Sequence, residues 1–163
     1  MTTDALAPLQ DGEALDFADW PGDPPIPLAI RGVYTIWRSD KLLYVGIAGL
    51  GELPTRKPKK PWGLHRRLGA HAAGRRAGDQ FSVYIADRFV LDAVDEDVLD
   101  DIVAGEQSMD ALVKAWVHEH LSYRYLEVEA SAVARDLEQR VRRGQLDAGP
   151  PMLNPLRTKT PVP

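Results

Sequence analysis

Apolar residues recur along this chain at two spacings, every second residue and every third or fourth, and the change from one to the other predicts its elements. Gly32-Val33-Tyr34-Thr35-Ile36-Trp37 is rich in β-branched and aromatic residues and predicts a strand. Leu42-Leu43-Tyr44-Val45-Gly46-Ile47 predicts a second. The polar Arg38-Ser39-Asp40-Lys41 between them predicts a hairpin turn. Leu64, Leu68 and Ala72 stand four apart with Gly74 beyond, which predicts a helix over 62–73 that stops at the glycine. Alternation of Phe81, Val83 and Ile85 predicts a third strand over 80–86. Residues 95–104 and 108–120 predict two amphipathic helices, the second with a stripe of Met109, Leu112, Val113, Trp116 and Val117. Residues 123–129 predict a further strand, and 130–143 a helix with Val133, Leu137 and Val141 inward, ending at Gly144. The order is strand, strand, helix, strand, helical insertion, strand, helix. It predicts an α+β domain with a small, largely antiparallel sheet flanked by helices.

At 163 residues the chain suits a single domain with one core. Residues 31–156 are expected to form it, with an acidic helical insertion at about 88–121. Residues 1–30 hold six acidic residues, no basic ones and a proline-rich run over 21–27, and read as an extended or loosely docked arm. The proline-rich stretch from 149 is expected to be extended, with 157–163 as a tail. No cysteine is present, which excludes a disulfide scaffold and a thiolate metal site and fits a reducing, cytoplasmic setting. The start lacks the pattern of a signal peptide, and no apolar run would span a bilayer, so no membrane partner is expected.

Net charge is −4, which on its face argues against a polyanionic partner. The distribution argues otherwise. Between Arg56 and Arg76 lie eight Lys or Arg residues and no acid, at 56, 57, 59, 60, 66, 67, 75 and 76. Between Asp92 and Asp110 lie eight acids and no base. A polyanion responds to local potential rather than to the sum. The plainer alternative is that these blocks are solvated faces.

Candidate chemistry begins at the hairpin. With a three-residue loop at Arg38-Ser39-Asp40, Trp37 faces Lys41 and Tyr34 faces Tyr44, so the two phenols share one side of the sheet with Gly46. Leu43, Val45 and Ile47 then point to the core, and Gly46 leaves open space beside the phenols. Arg67 and His71, one turn apart, share a helix face beside the apolar stripe, and a guanidinium fork there suits phosphate oxygens. Glu138 flanks the apolar face of the last helix. A hard divalent cation often takes only one or two carboxylates and keeps its waters, so one glutamate suffices. The alternative readings are an aromatic cross-strand pair, a surface arginine, and an ion pair of Glu138 with Arg142. His118-Glu119-His120 is a poor zinc site, because residues two apart on a helix do not converge. Nucleophilic-serine and glycine-rich phosphate-loop motifs are absent.

Taken in order, these pieces resemble the GIY-YIG nuclease family over roughly residues 31–156. The first motif reads Gly32-Val33-Tyr34 and the second Tyr44-Val45-Gly46, with nine residues between the tyrosines, slightly fewer than is usual in the family. The helix motif reads Gly63-Leu64-His65-Arg66-Arg67-Leu68, where Arg67 matches the family arginine, and His71 matches a histidine of many members. Glu138 matches the metal-binding glutamate and Asn154 the asparagine near the end of the domain. Residues 88–121 are an insertion relative to minimal members.

The resemblance implies a metal-dependent endonuclease hydrolysing phosphodiester bonds. Glu138 would hold one Mg²⁺ or Mn²⁺, Tyr34 would act as general base, and Arg67 would stabilise the phosphate. Tyr44 and His71 would position water or phosphate, and Asn154 would support the site. Arg56, Lys57, Lys59, Lys60, Arg66, Arg75 and Arg76 would hold a nucleic-acid backbone, DNA ahead of RNA. The acidic insertion would contact a protein partner or the chain itself. Two other classes compete: a nucleic-acid-binding module with an inactive site, and a protein-interaction domain whose acidic helices take a basic partner.

Overall fold

The computed structural model describes residues 4–56 and 58–156. In chain order its elements are α1 (Ala7–Gln10), β1 (Leu15–Asp16), β2 (Ala29–Ile30), β3 (Gly32–Arg38), β4 (Lys41–Ala48), α2 (Gly63–Ala73), α3 (Gln80–Ile85), α4 (Glu96–Ala104), α5 (Met109–His120), β5 (Ser122–Glu127) and α6 (Ser131–Arg142). Four strands form an antiparallel sheet in the order β1-β5-β3-β4. The fold is a small α+β one, its sheet flanked by helices. Among the described residues no helix is long and apolar enough to cross a membrane.

Both faces of the sheet are covered, which explains why β3 is buried at six successive positions rather than at alternate ones. On one face Tyr34, Ile36 and Tyr123 pack with Leu64 and Leu68 of α2, Phe81 and Ile85 of α3, and Val113 and Val117 of α5. On the other, Val33, Trp37, Leu42 and Val45 pack with Ala134, Leu137 and Val141 of α6. Leu6 and Leu9 of the N-terminal segment complete this second core, and Phe17 and Ile26 enter the first. The described part of residues 1–30 is therefore no loosely docked arm. Its few large apolar side chains find pockets on both faces, and Leu15 and Asp16 pair with β5.

Three expectations are corrected. The hairpin turns on Ser39 and Asp40 alone, with Ser39 at a positive φ of 55°, so Arg38 pairs with Lys41 and Trp37 with Leu42. A bulge then opens between Ile36 and Trp37, so that Tyr44 faces Ile36 and Tyr34 faces Gly46. Leu43, the extra residue, joins Tyr34 and Ile36 instead of Val45. The run over 80–86 is helical, not a strand: Phe81, Ser82 and Ile85 are buried at helical spacing, and a π-turn, Ala86–Val90, continues it. On α6 the inward face is Ala134, Leu137 and Val141, while Val133 is 46% exposed.

The acidic segment divides in two. Helix α5 buries Val113 and Val117 and is tied to α2 by His118, whose Nε2 lies 2.8 Å from the Ala72 carbonyl oxygen. Helix α4 buries nothing, and its Val103 is 80% exposed. At the far edge of the sheet the N–H groups of Met152 and Leu153 donate to the carbonyls of Leu42 and Leu43. The end of the domain thus covers the open edge of β4.

Candidate active site

Tyr34 lies on the central strand between Gly46 of β4 and Tyr125 of β5. Gly46 does not leave a void beside the phenols. The Tyr34 ring occupies that place, and a Cβ at 46 would fall on its hydroxyl and Cζ. The Tyr34 side chain is thereby enclosed, at 1% exposure. Its hydroxyl lies 2.8 Å from Nε2 of His71, which is itself buried on α2. The other ring nitrogen of His71, Nδ1, lies 2.8 Å from Oδ2 of Asp79. Ser82 donates its hydroxyl to the same oxygen, also at 2.8 Å.

Charge states along this chain follow from its surroundings. Burial alone would raise the Asp79 carboxyl, but its contacts with His71 and Ser82 outweigh burial and hold it below the usual carboxylate range. Burial lowers His71, and Asp79 only partly restores it. Asp79 is thus an anion, and His71 is neutral and donates Nδ1–H to it. Nε2 then has only a lone pair and accepts the Tyr34 proton. Tyr34 is pushed well up, first by burial and then by Tyr44, with Arg67 opposing.

Tyr44 faces Ile36 two pairs further along the hairpin and is half-buried. Its ring lies 6.4 Å from that of Tyr34 and 5.9 Å from that of His71, between centroids, and 5.3 Å from that of Phe81. Burial raises it, Asp79 adds, Arg67 opposes and Glu138 adds. Glu138 also raises Tyr34. Arg67 on α2 and Glu138 on α6 approach from opposite faces of the sheet, yet both fields reach both phenols.

Neither charged group is satisfied among the described residues. Arg67 is exposed and makes no hydrogen bond or ion pair among the described residues. Glu138 is half-buried and likewise unpaired, and burial raises it while Arg142 opposes. The Glu138–Arg142 ion pair open to the sequence is not formed. Arg142 instead donates from Nε to the Asn154 carbonyl. Asn154 uses its own amide as a short strand: Nδ2 donates to the Val45 carbonyl at 2.7 Å, and Oδ1 accepts the Val45 N–H at 3.2 Å. It braces β4 between Tyr44 and Gly46.

Beside Arg67 opens a cleft of about 360 Å³, lined by Gly49, Gly51, Trp62, Gly63, Arg66 and Arg67 among others. Its wall is held by a residue that sequence reasoning missed. Arg31 is buried and donates to three carbonyls: Nε to Gly49 at 2.6 Å, one terminal nitrogen to Gly51 at 2.7 Å, and the other to Glu129 at 2.5 Å. No carboxylate among the described residues neutralises it, so its charge adds to the cleft. Asp79 and Ser82 were also missed. An aspartate directly before an apolar run is a helix-start signal, hidden here by the alternation of Phe81, Val83 and Ile85.

The expected backbone-binding residues are not equivalent. Arg56, Lys59 and Lys60 are exposed on the loop over 49–61, Arg66 is exposed at the cleft, and Arg75 is exposed after α2. Lys57 lies outside the described residues, as do residues 157–163. Arg76 is not free, because its Nε lies 2.7 Å from Oδ1 of Asp110 on α5. Among the described residues no group of three or more His, Asp or Glu side chains could hold a metal ion, so His118-Glu119-His120 forms no such site. A single carboxylate completed by water falls below that count, and Glu138 offers one. Comparison with protein-family models, with curated proteins and with solved structures returns no match.

Proposed function

We propose that the chain is a GIY-YIG-type endonuclease that hydrolyses phosphodiester bonds, with DNA ahead of RNA as substrate. One observation carries the reading. A guanidinium, Arg67, and a half-buried carboxylate, Glu138, neither paired among the described residues, act on the same pair of phenols, and a cationic cleft opens beside Arg67. A hydrolase of this kind needs fixed positive charge, a cation ligand and a proton acceptor at one place.

The donor type suits a hard cation: Glu138 is a half-buried carboxylate with no protein partner among the described residues, and one such ligand suffices for a cation that keeps its waters. Mg²⁺ or Mn²⁺ bound there would neutralise charge developing on the phosphate and the leaving oxygen. Arg67 would hold the phosphate, and Arg66, Arg56, Lys59 and Lys60, exposed in the same stretch of chain, would hold the flanking backbone. Tyr34 is the phenol equipped to act as general base, because its own proton already has an acceptor in His71. It is also enclosed. Water therefore gains it through the Tyr44 hydroxyl or past the Tyr44 ring. The Tyr44 hydroxyl makes no hydrogen bond to Tyr34 among the described residues, so the first route takes a bridging water between the two hydroxyls.

The test is cleavage of labelled duplex, single-stranded and branched substrates with Mg²⁺ or Mn²⁺. Tyr34→Phe and Tyr44→Phe are each expected to lower kcat by about 10²–10⁴-fold, the usual weight of general-base catalysis. A Tyr44→Phe enzyme of full activity would assign entry past the ring. Glu138→Gln and Arg67→Ala are expected to abolish cutting. The enclosure of Tyr34 is the one observation that favours a second reading, a nucleic-acid-binding module without hydrolysis. Salt-sensitive binding with no cutting in any metal would establish that instead.

A further inference from the structure

We propose that Asp79 is a positioning residue for proton transfer at Tyr34, acting through His71. The inference rests on the nuclease reading above and adds to it a residue outside the motifs that suggested it. Asp79 precedes α3, and the connection that brings it beneath α2 passes two left-handed glycines, Gly74 at φ 66° and Gly78 at φ 76°. The result is a buried line of four polar groups: Tyr34 Oη, His71 Nε2 and Nδ1, Asp79 Oδ2 and Ser82 Oγ, each contact at 2.8 Å.

The direction of the hydrogen bonds along this line is not free. An ionised carboxylate only accepts, so Nδ1 of His71 must carry the hydrogen it shares with Asp79. Ser82 Oγ–H donates to the same oxygen and reinforces that polarity. The ring is enclosed by Tyr34 from β3, Tyr44 from β4, Phe81 and Asp79 from α3 and its entry, and Arg67 one turn earlier on α2. Asp79 is the only anion among the described residues that hydrogen-bonds the ring. With one hydrogen, on Nδ1, the ring presents a lone pair at Nε2, and Tyr34 must donate to it. Tyr34 therefore turns only acceptor lone pairs toward the site. When a proton arrives on the Tyr34 oxygen from water or Tyr44, the phenol proton passes to Nε2. The imidazolium so formed keeps Nδ1–H on Asp79, whose charge balances it. Reversal returns the proton after the phosphate bond is broken. Without the carboxylate the ring is free to carry its hydrogen on Nε2. It would then donate to Tyr34, and the phenol would have nowhere to send its own proton.

A purely structural network would share the geometry, so the test reads the proton itself. Nitrogen-15 NMR of the full wild-type chain is expected to show His71 neutral, with its hydrogen on Nδ1. Folded Asp79→Asn is expected to lose that tautomer, as an amide in such a position does. Its kcat is expected to fall about 10–100-fold, as when the group orienting a functional histidine is removed, with KM near the wild-type value. Asp79→Glu, which keeps the charge, is expected to lose less. Wild-type His71 protonated on Nε2 overturns the assignment whatever the activity, and needs no variant. Equal losses in Asp79→Asn and Asp79→Glu, or an unchanged kcat once the tautomer is lost, also overturn it. A wild type with the expected tautomer that cuts no nucleic acid overturns the nuclease reading and with it any catalytic role of Asp79.

Discussion

At the scale of single residues, two positions matter more than their size suggests. Gly46 is needed because its missing side chain is where the Tyr34 ring lies. Gly46→Ala puts a methyl into a packed, fully buried contact, which costs about 1–3 kcal/mol when surroundings cannot shift. The expected outcome is a lower urea midpoint at unchanged m-value, with loss of the proposed nucleolytic activity. Arg31 is the second. Its three donors satisfy three carbonyls in two segments, Gly49 and Gly51 of the cleft wall and Glu129. Arg31→Met removes all three at once and leaves acceptors without partners, at about 1–3 kcal/mol for each one that water cannot reach. Stability is expected to fall, and KM for nucleic acid to rise, measured by denaturation and by titration with a labelled duplex. Lysine is not expected to rescue it, since one ammonium cannot reproduce a planar fork with three separate targets. Neither role was visible in the chain alone. A glycine in a strand and an arginine before it are ordinary residues until their neighbours are known.

Between elements, the link of α5 to the basic face is the contact that bears most on the proposed nucleic-acid binding. Arg76 and Asp110 form an ion pair exposed to solvent, which adds little to stability. It does hold one of the basic positions neutral. Asp110→Asn is expected to leave the denaturation midpoint unchanged while strengthening duplex binding. The slope of log K against log salt should steepen by about one unit, as one more phosphate contact becomes available. An unchanged slope would mean that Arg76 lies off the binding path. Asn154 works at the same scale. Its amide pairs with both main-chain groups of Val45 and so fixes the edge strand that carries Tyr44. Asn154→Ala is expected to speed hydrogen exchange at Val45 and to lower kcat more than it raises KM. The existence of these elements was largely legible: α2, α4, α5, β5 and α6 fall within a residue or two of the expected ranges. Their pairings were not, because a short run such as 80–86 fits either period until a partner surface selects one.

The whole molecule responds to pH through the same buried groups. His71 and Asp79 both have folded values below their unfolded ones. The stability they contribute is present above the unfolded values, 6.5 and 3.8, and is lost as pH falls through the folded ones. Tyr34 and Tyr123 are raised, Tyr123 to about 12, so their contribution is complete below 10.0 and lost as pH rises beyond it. Urea midpoints are expected to form a plateau that starts to fall below about pH 6.5 and again above about pH 10. A midpoint that rises on acidification from neutrality would contradict a neutral buried His71. Periodicity and turn residues, which are local properties, determined the strand pair, most of the helices and the separation of basic from acidic surface. Tertiary structure alone decided the bulge that sets Tyr34 against Gly46, the helical form of 80–85, the docking of the N-terminal segment, and the line from Tyr34 to Asp79. The reason is that burial, hydrogen-bond direction and charge state are properties of a side chain's neighbours, and those neighbours come from segments far apart in the chain.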